Sequence, residues 1–152
     1  MKKITGAQIR KHLGHGMKGE NMKALSRGAE KVFFKVVDGL EESGSARKID
    51  NTDGAFMAVN VDRLQKTDRG VYFAVAHNYL QNGDVMADPD MTFMVSAADG
   101  RVYPMTFQQD NLGIFNRGAY EENGRLMVAP RIQRDITKFA NTWMRNIKEQ
   151  QF

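Results

Sequence analysis

The sequence predicts an α+β fold, an antiparallel sheet of four to five strands packed by an N-terminal and a C-terminal helix. Three observations lead there. Apolar residues recur at spacings of three and four near both ends of the chain, the pattern of a helix with one buried face. Between 56 and 107 they alternate instead, the period of strands buried on one side. The order helix, meander, helix favours an antiparallel sheet with helices on one side over a parallel doubly wound fold.

The elements follow in order. Residues 5–19 carry Gly6, Gly14, Gly16 and Gly19 among basic groups, which predicts a short turn of helix and then a flexible loop. Met22, Leu25, Ala29, Val32, Phe33, Val36 and Leu40 mark a helix over 21–42, ended near Gly44, a residue suited to a left-handed cap. A polar loop is expected over 43–54. Strands are expected at 56–61, 71–80, 91–97 and 102–107, with Asp99-Gly100 and Asn82-Gly83 as tight turns because both residue types tolerate positive φ. The segment 108–123 reads as polar loop and 124–128 as a short fifth strand. Pro130 opens the last element, where Ile132, Ile136, Phe139, Ala140, Trp143 and Ile147 predict a helix over 131–149.

Composition narrows the chemistry. With 152 residues, 41% hydrophobic and 26% charged, the chain has ordinary globular usage, and one domain over 1–152 is expected. No apolar run approaches the roughly 20 residues of a membrane-spanning helix. The basic start, Met1-Lys2-Lys3, is followed by Gln8, Arg10 and Lys11 and not by an apolar stretch, so export is not expected and the cytoplasm is. The absence of cysteine removes thiolate metal sites and thiol nucleophiles, and three histidines remain for acid–base work. No P-loop, dinucleotide fingerprint, G-x-S-x-G or H-E-x-x-H occurs, and no catalytic residue or cofactor is assigned.

Charge is distributed unevenly. Residues 1–35 hold nine basic and two acidic residues, residues 36–110 six basic and twelve acidic, and residues 111–152 seven basic and four acidic. Lys18, Lys23, Arg27 and Lys31 are therefore the candidate binding residues of a basic surface, since summed charge steers association. Arg131, Arg134, Lys138, Arg145 and Lys148 avoid the apolar stripe of the last helix and could join them. Tyr103, Phe107, Phe115 and Tyr120 alternate with Arg101, Arg117 and Arg125, a mixture found on nucleic-acid surfaces and also in ordinary cores.

A polar cluster forms the second candidate. His77, Asp84, Asp88 and Asp90 could converge on a hard cation, because oxygen ligands suit magnesium, calcium or manganese. Their spacing fits no EF-hand loop and also suits two successive turns, Asn82-Gly83-Asp84 and Asp88-Pro89-Asp90, so no metal is assigned. His77 shares the strand parity of Val71, Phe73 and Val75 and is expected in the core.

The run from Val71 through Tyr79, then Gln81-Asn82-Gly83-Asp84-Val85-Met86-Ala87-Asp88-Pro89-Asp90-Met91, Tyr103-Pro104 and Phe139-Ala140-Asn141-Thr142-Trp143-Met144, resembles a domain of unknown function carried by bacterial phages, plasmids and integrative elements. The resemblance covers about the C-terminal half. It implies a mobile-element context and assigns no site residue. The expectation is a non-enzymatic accessory protein that binds a host macromolecule, a protein or protein–nucleic acid complex, as an inhibitor of host defence such as CRISPR or restriction. The alternatives are a small metal-dependent enzyme using the acidic turns and a nucleic-acid-binding module.

Overall fold

The computed structural model describes residues 21–152, so Lys18 and the loop expected over residues 1–19 lie outside the described residues. The architecture is α+β: a six-stranded antiparallel sheet, a separate two-stranded hairpin and two helices. Helix α1 spans Arg27–Val36. The strands are β1 (Ala46–Ile49), β2 (Val59–Thr67), β3 (Gly70–Gln81), β4 (Asp84–Ser96), β5 (Val102–Gln109) and β6 (Ile114–Arg117), in that spatial order. β7 (Ala119–Glu122) and β8 (Arg125–Val128) form the hairpin, and α2 (Pro130–Gln151) ends the chain with proline in its first turn.

Both helices lie on one face of the sheet, where Phe33, Val36, Val59, Val75, Met91, Phe93, Trp143 and Met144 belong to one continuous core. Trp143, 4% exposed, sits within it as the spacing of α2 predicts, whereas Phe139 and Ile132 of the same stripe are exposed. The other face bears a smaller core of Met22, Tyr72, Met94, Met105, Ala119 and Leu126 under the β7–β8 hairpin. Gly118 allows that hairpin to approach α2, because a Cβ there would lie 2.7 Å from the Gln133 backbone.

The first helix is shorter than the spacing predicts. Residues 22–26 are not helical: the Leu25 amide donates to the Val102 carbonyl at 2.8 Å, and Met22 and Leu25 enter different cores. Ser26 caps α1, its Oγ accepting from the Ala29 amide at 3.2 Å. At the other end the Arg47 guanidinium of β1 donates to the carbonyls of Lys35 (2.7 Å) and Val36 (3.1 Å), groups that a helix C-terminus leaves unpaired. Gly39 then turns the chain at φ +82°, and Gly44, instead of capping a helix, turns it into β1. The loop expected over 43–54 thus contains a strand, and that expected over 108–123 contains β6 and β7, which raises the strand count above four to five. The second of the two acidic turns is absent. Only Asn82-Gly83, with φ +53° and +86°, turns the chain, and residues 84–96 are one strand with a register shift opposite His77.

No helix among the described residues is long and apolar enough to cross a membrane.

Candidate functional site

The register of the sheet decides which polar residues meet. Ala76 pairs with Asp90 and Asp90 with Gln108, and Asn60 pairs with Ala76, so this row lies on the face away from the helices. His77 occupies the opposite parity and points into the helix-side core. Its Nδ1 accepts the Trp143 indole N–H at 3.4 Å, while Nε2 is buried without a hydrogen-bond partner. Burial pulls the imidazole below its ordinary pKa of 6.5, opposed by the negative charge of Asp88, and so favours the neutral ring.

The three aspartates separate. Asp84 is exposed at the tip of the β3–β4 ribbon, where Leu80 (73%) and Val85 (69%) are also exposed. Asp88 accepts from Gln109 Nε2 at 3.0 Å and is the charge felt by His77. Asp90 lies on the outer face, and burial together with the charges of Asp62 and Asp110 pushes its carboxyl up to about 6. Asp110 moves the other way. It accepts from the Ala87 amide at 2.7 Å and Gln108 Nε2 at 2.8 Å, and these bonds to the charged form lower its pKa. Among the described residues no three His, Asp or Glu side chains converge closely enough to hold a metal ion.

The basic residues assemble differently. Lys23 is exposed on the segment before α1, its backbone amide held by Gln133 Oε1 at 2.6 Å. Arg27 and Lys31 are exposed on α1, with Arg27 3.4 Å from the Glu30 carboxylate. On α2, Arg131, Arg134, Lys138, Arg145 and Lys148 are all exposed. The two helices are neighbours, since the Ser26 amide at the start of α1 donates to Asn141 Oδ1 of α2 at 2.9 Å. Counting Lys35, eight cations thus cover the solvent side of the two helices against the exposed Asp135 and Glu149. The helix layer is basic, whereas the open face behind it is mixed, Asp62 and Asp90 sharing it with the exposed Lys48, which pairs with Asn60, and Arg117, which pairs with Thr106.

The mixture of aromatics and arginines does not form one surface. Phe107 is in the core, Arg101 is bound to Glu30 at 2.8 Å, Tyr103 donates to Asp99 at 2.6 Å, and Arg117 stacks 4.0 Å from the Tyr120 ring.

A family model described as a domain of unknown function, DUF6908, matches residues 30–152. The chain belongs to that family. The DUF6908 match starts within α1 and takes in every strand and α2, further toward the N-terminus than the residues that carry the resemblance in sequence. Comparison with curated proteins and with solved structures found no match.

Two neighbours of Asp90, Asp62 and Asp110, have no local signal in the sequence. They lie far along the chain from Asp90 and meet it through the fold, Asp62 by the register of β2, β3 and β4 and Asp110 from the single helical turn that follows β5. Glu30 is likewise hidden by its charge: it looks like a solvated helix residue but is buried, accepting from Arg101 Nε at 2.8 Å and the Val102 amide at 2.9 Å.

Proposed function

We propose that this DUF6908 domain is a non-enzymatic accessory protein of a bacterial mobile element that binds a host macromolecule, with inhibition of a host defence system as its role. The reading carries with it a cytoplasmic site of action in the host. The observation that supports binding is the uneven placement of charge, with eight exposed cations against two acidic residues on the solvent side of the helices, while the sheet face behind mixes Asp62 and Asp90 with Lys48 and Arg117. A domain polarised in this way meets partners in a preferred orientation and at an enhanced rate. The mobile-element part rests on the Gln81–Met91 run, and a gene neighbourhood without phage or conjugation genes would remove it.

The binding part is tested by reversing Lys18, Lys23, Arg27 and Lys31 to Glu in the full chain. The expected outcome is loss of the captured host partner in a pull-down with an almost unchanged melting temperature, because exposed charges add little to folding. Retention of that partner by the reversed protein at every salt concentration would overturn the assignment to this surface.

A further inference from the structure

Two groups of arginines among the described residues contrast. Arg47, Arg63, Arg69 and Arg101 are committed within the fold, each donating to a backbone carbonyl and the last two also paired with carboxylates. Arg131, Arg134 and Arg145, together with Lys138, have neither an ion pair nor a hydrogen bond to any described residue. All four are exposed on α2. At 3.6 residues per turn they fall within a sector of about 60° and extend over about 21 Å of helix axis. Asp135 flanks this row and Glu149 lies beyond its end.

We propose that this row holds the phosphate backbone of a double-stranded nucleic acid, an assignment that rests on the domain being a macromolecule binder. A helix packed along its length on a sheet presents cations in a fixed line, and a duplex backbone presents anions in one, so several contacts form without ordering a loop. Arginine suits this because its planar fork pairs with phosphate oxygens. A protein partner fits less well. Protein interfaces are anchored by large apolar side chains at their centre, and the sector between Arg131 and Arg145 holds none, the half-exposed Phe139 lying about 80° outside it with its ring against Phe107 and Trp143. The sheet face opposite the helices mixes Asp62 and Asp90 with Lys48 and Arg117 and lines up no comparable row of cations, which makes the helix layer the side of approach. Such contacts fix orientation and carry no base information, so binding is independent of sequence.

The test is fluorescence anisotropy of the full chain with a labelled 30-base-pair DNA duplex, the RNA duplex of the same sequence and the single strand. Four phosphate contacts predict a slope of about −3.6 in log K against log salt, roughly a 100-fold loss between 50 and 200 mM. Combined Arg134→Ala, Lys138→Ala and Arg145→Ala, with melting unchanged, should weaken duplex binding at least tenfold and make the slope shallower by about three. Lys66→Ala, an exposed cation of β2, should change neither. DNA and RNA duplexes binding alike would mean that only backbone is read; a preference for one would name the source of the phosphate. Absence of duplex binding at 50 mM salt, equal affinity of the triple variant, or tighter binding of the single strand would overturn the proposal. If duplexes are ignored while a host protein is captured through the basic surface, this assignment fails and macromolecule binding stands. If neither binds, both fail.

Discussion

The two faces of the six-stranded sheet share the same strands and differ in almost everything laid on them. The helix side is sealed from Leu25 to Ile147 by one apolar core, with Glu30 and His77 as its buried ionisable members. The outer side is closed at one end only, where Ala119 and Leu126 of the β7–β8 hairpin cover Tyr72, Met94 and Met105. Its other end exposes the polar row of Asn60, Asp90 and Gln108. Stability is therefore concentrated on the first face. The second is where polar groups remain accessible, and it mixes acidic and basic side chains where the helices' outer surface is mainly basic.

The contrast predicts unequal costs of truncation. Trp143→Ala should lower stability by about 3–5 kcal/mol, because it opens a cavity in the main core and leaves the His77 imidazole with no partner at either nitrogen. The measurement is a denaturant midpoint. An unchanged midpoint would show that the helix side does not dominate folding. Leu126→Ala acts on the smaller core and should cost about 2–3 kcal/mol. There, hydrogen exchange is the sharper probe. The amides of β7 and β8 should lose protection before those of β3 and β4, since a small core supports a separately opening unit. Simultaneous loss throughout the sheet would make the two faces one cooperative unit.

The same contrast explains what was legible in the sequence. Residues 71–80, 91–97, 102–107 and 131–149 cover one large core, so their periodicity survives and the observed elements contain them almost entirely. β1 has no such pattern: Ala46-Arg47-Lys48-Ile49 is a short edge strand whose Arg47 works on the end of α1. The α1 spacing misleads for the opposite reason, because Met22 and Leu25 satisfy a helical period while serving different cores. Residues 84–90 look like turns because aspartate and proline are turn formers. In the fold, a bulge accommodates Pro89 within the strand. Of the candidate sites, the exposure of the α2 cations could be read from helical period. The company of Asp90 could not, since it depends on the order of the four strands β2 to β5.

Protonation distinguishes the faces further. Asp90 has its pKa raised from an ordinary 3.8 to about 6, so its folded state binds a proton more tightly than the unfolded state does. Its contribution to stability is complete below 3.8 and is lost as pH rises through about 6. Asp90→Asn should then stabilise the protein by about 1 kcal/mol at pH 7, after allowance for solvent screening. The gain should vanish at pH 3.5. His77 has the reverse dependence. With its folded pKa below 6.5, its stabilisation is present above 6.5 and declines as pH falls. Removing the Asp90 term should consequently leave a melting temperature that rises with pH between 5 and 7. A variant whose profile matches the wild type would show that Asp62 and Asp110 do not crowd Asp90.

The smallest expected effect belongs to the outer surface of α2, and its smallness carries the information. The Arg134, Lys138 and Arg145 side chains make no hydrogen bond or ion pair among the described residues, so replacing all three by Ala removes neither. Alanine also has the highest helix propensity, which offsets the loss of side-chain contact with the helix surface. The net change should lie within about 0.5 kcal/mol. Self-repulsion among the eight cations of the helix layer gives the change a direction: at low salt the variant should melt slightly above the wild type, and the two curves should converge as salt screens the exposed charges. A loss of stability that persists in high salt would mean that these side chains hold the fold together. In that case the helix layer would be a structural surface and the uneven placement of charge a by-product of packing. A gain that fades with added salt identifies cations kept on the surface at a small cost in stability, as a binding surface requires.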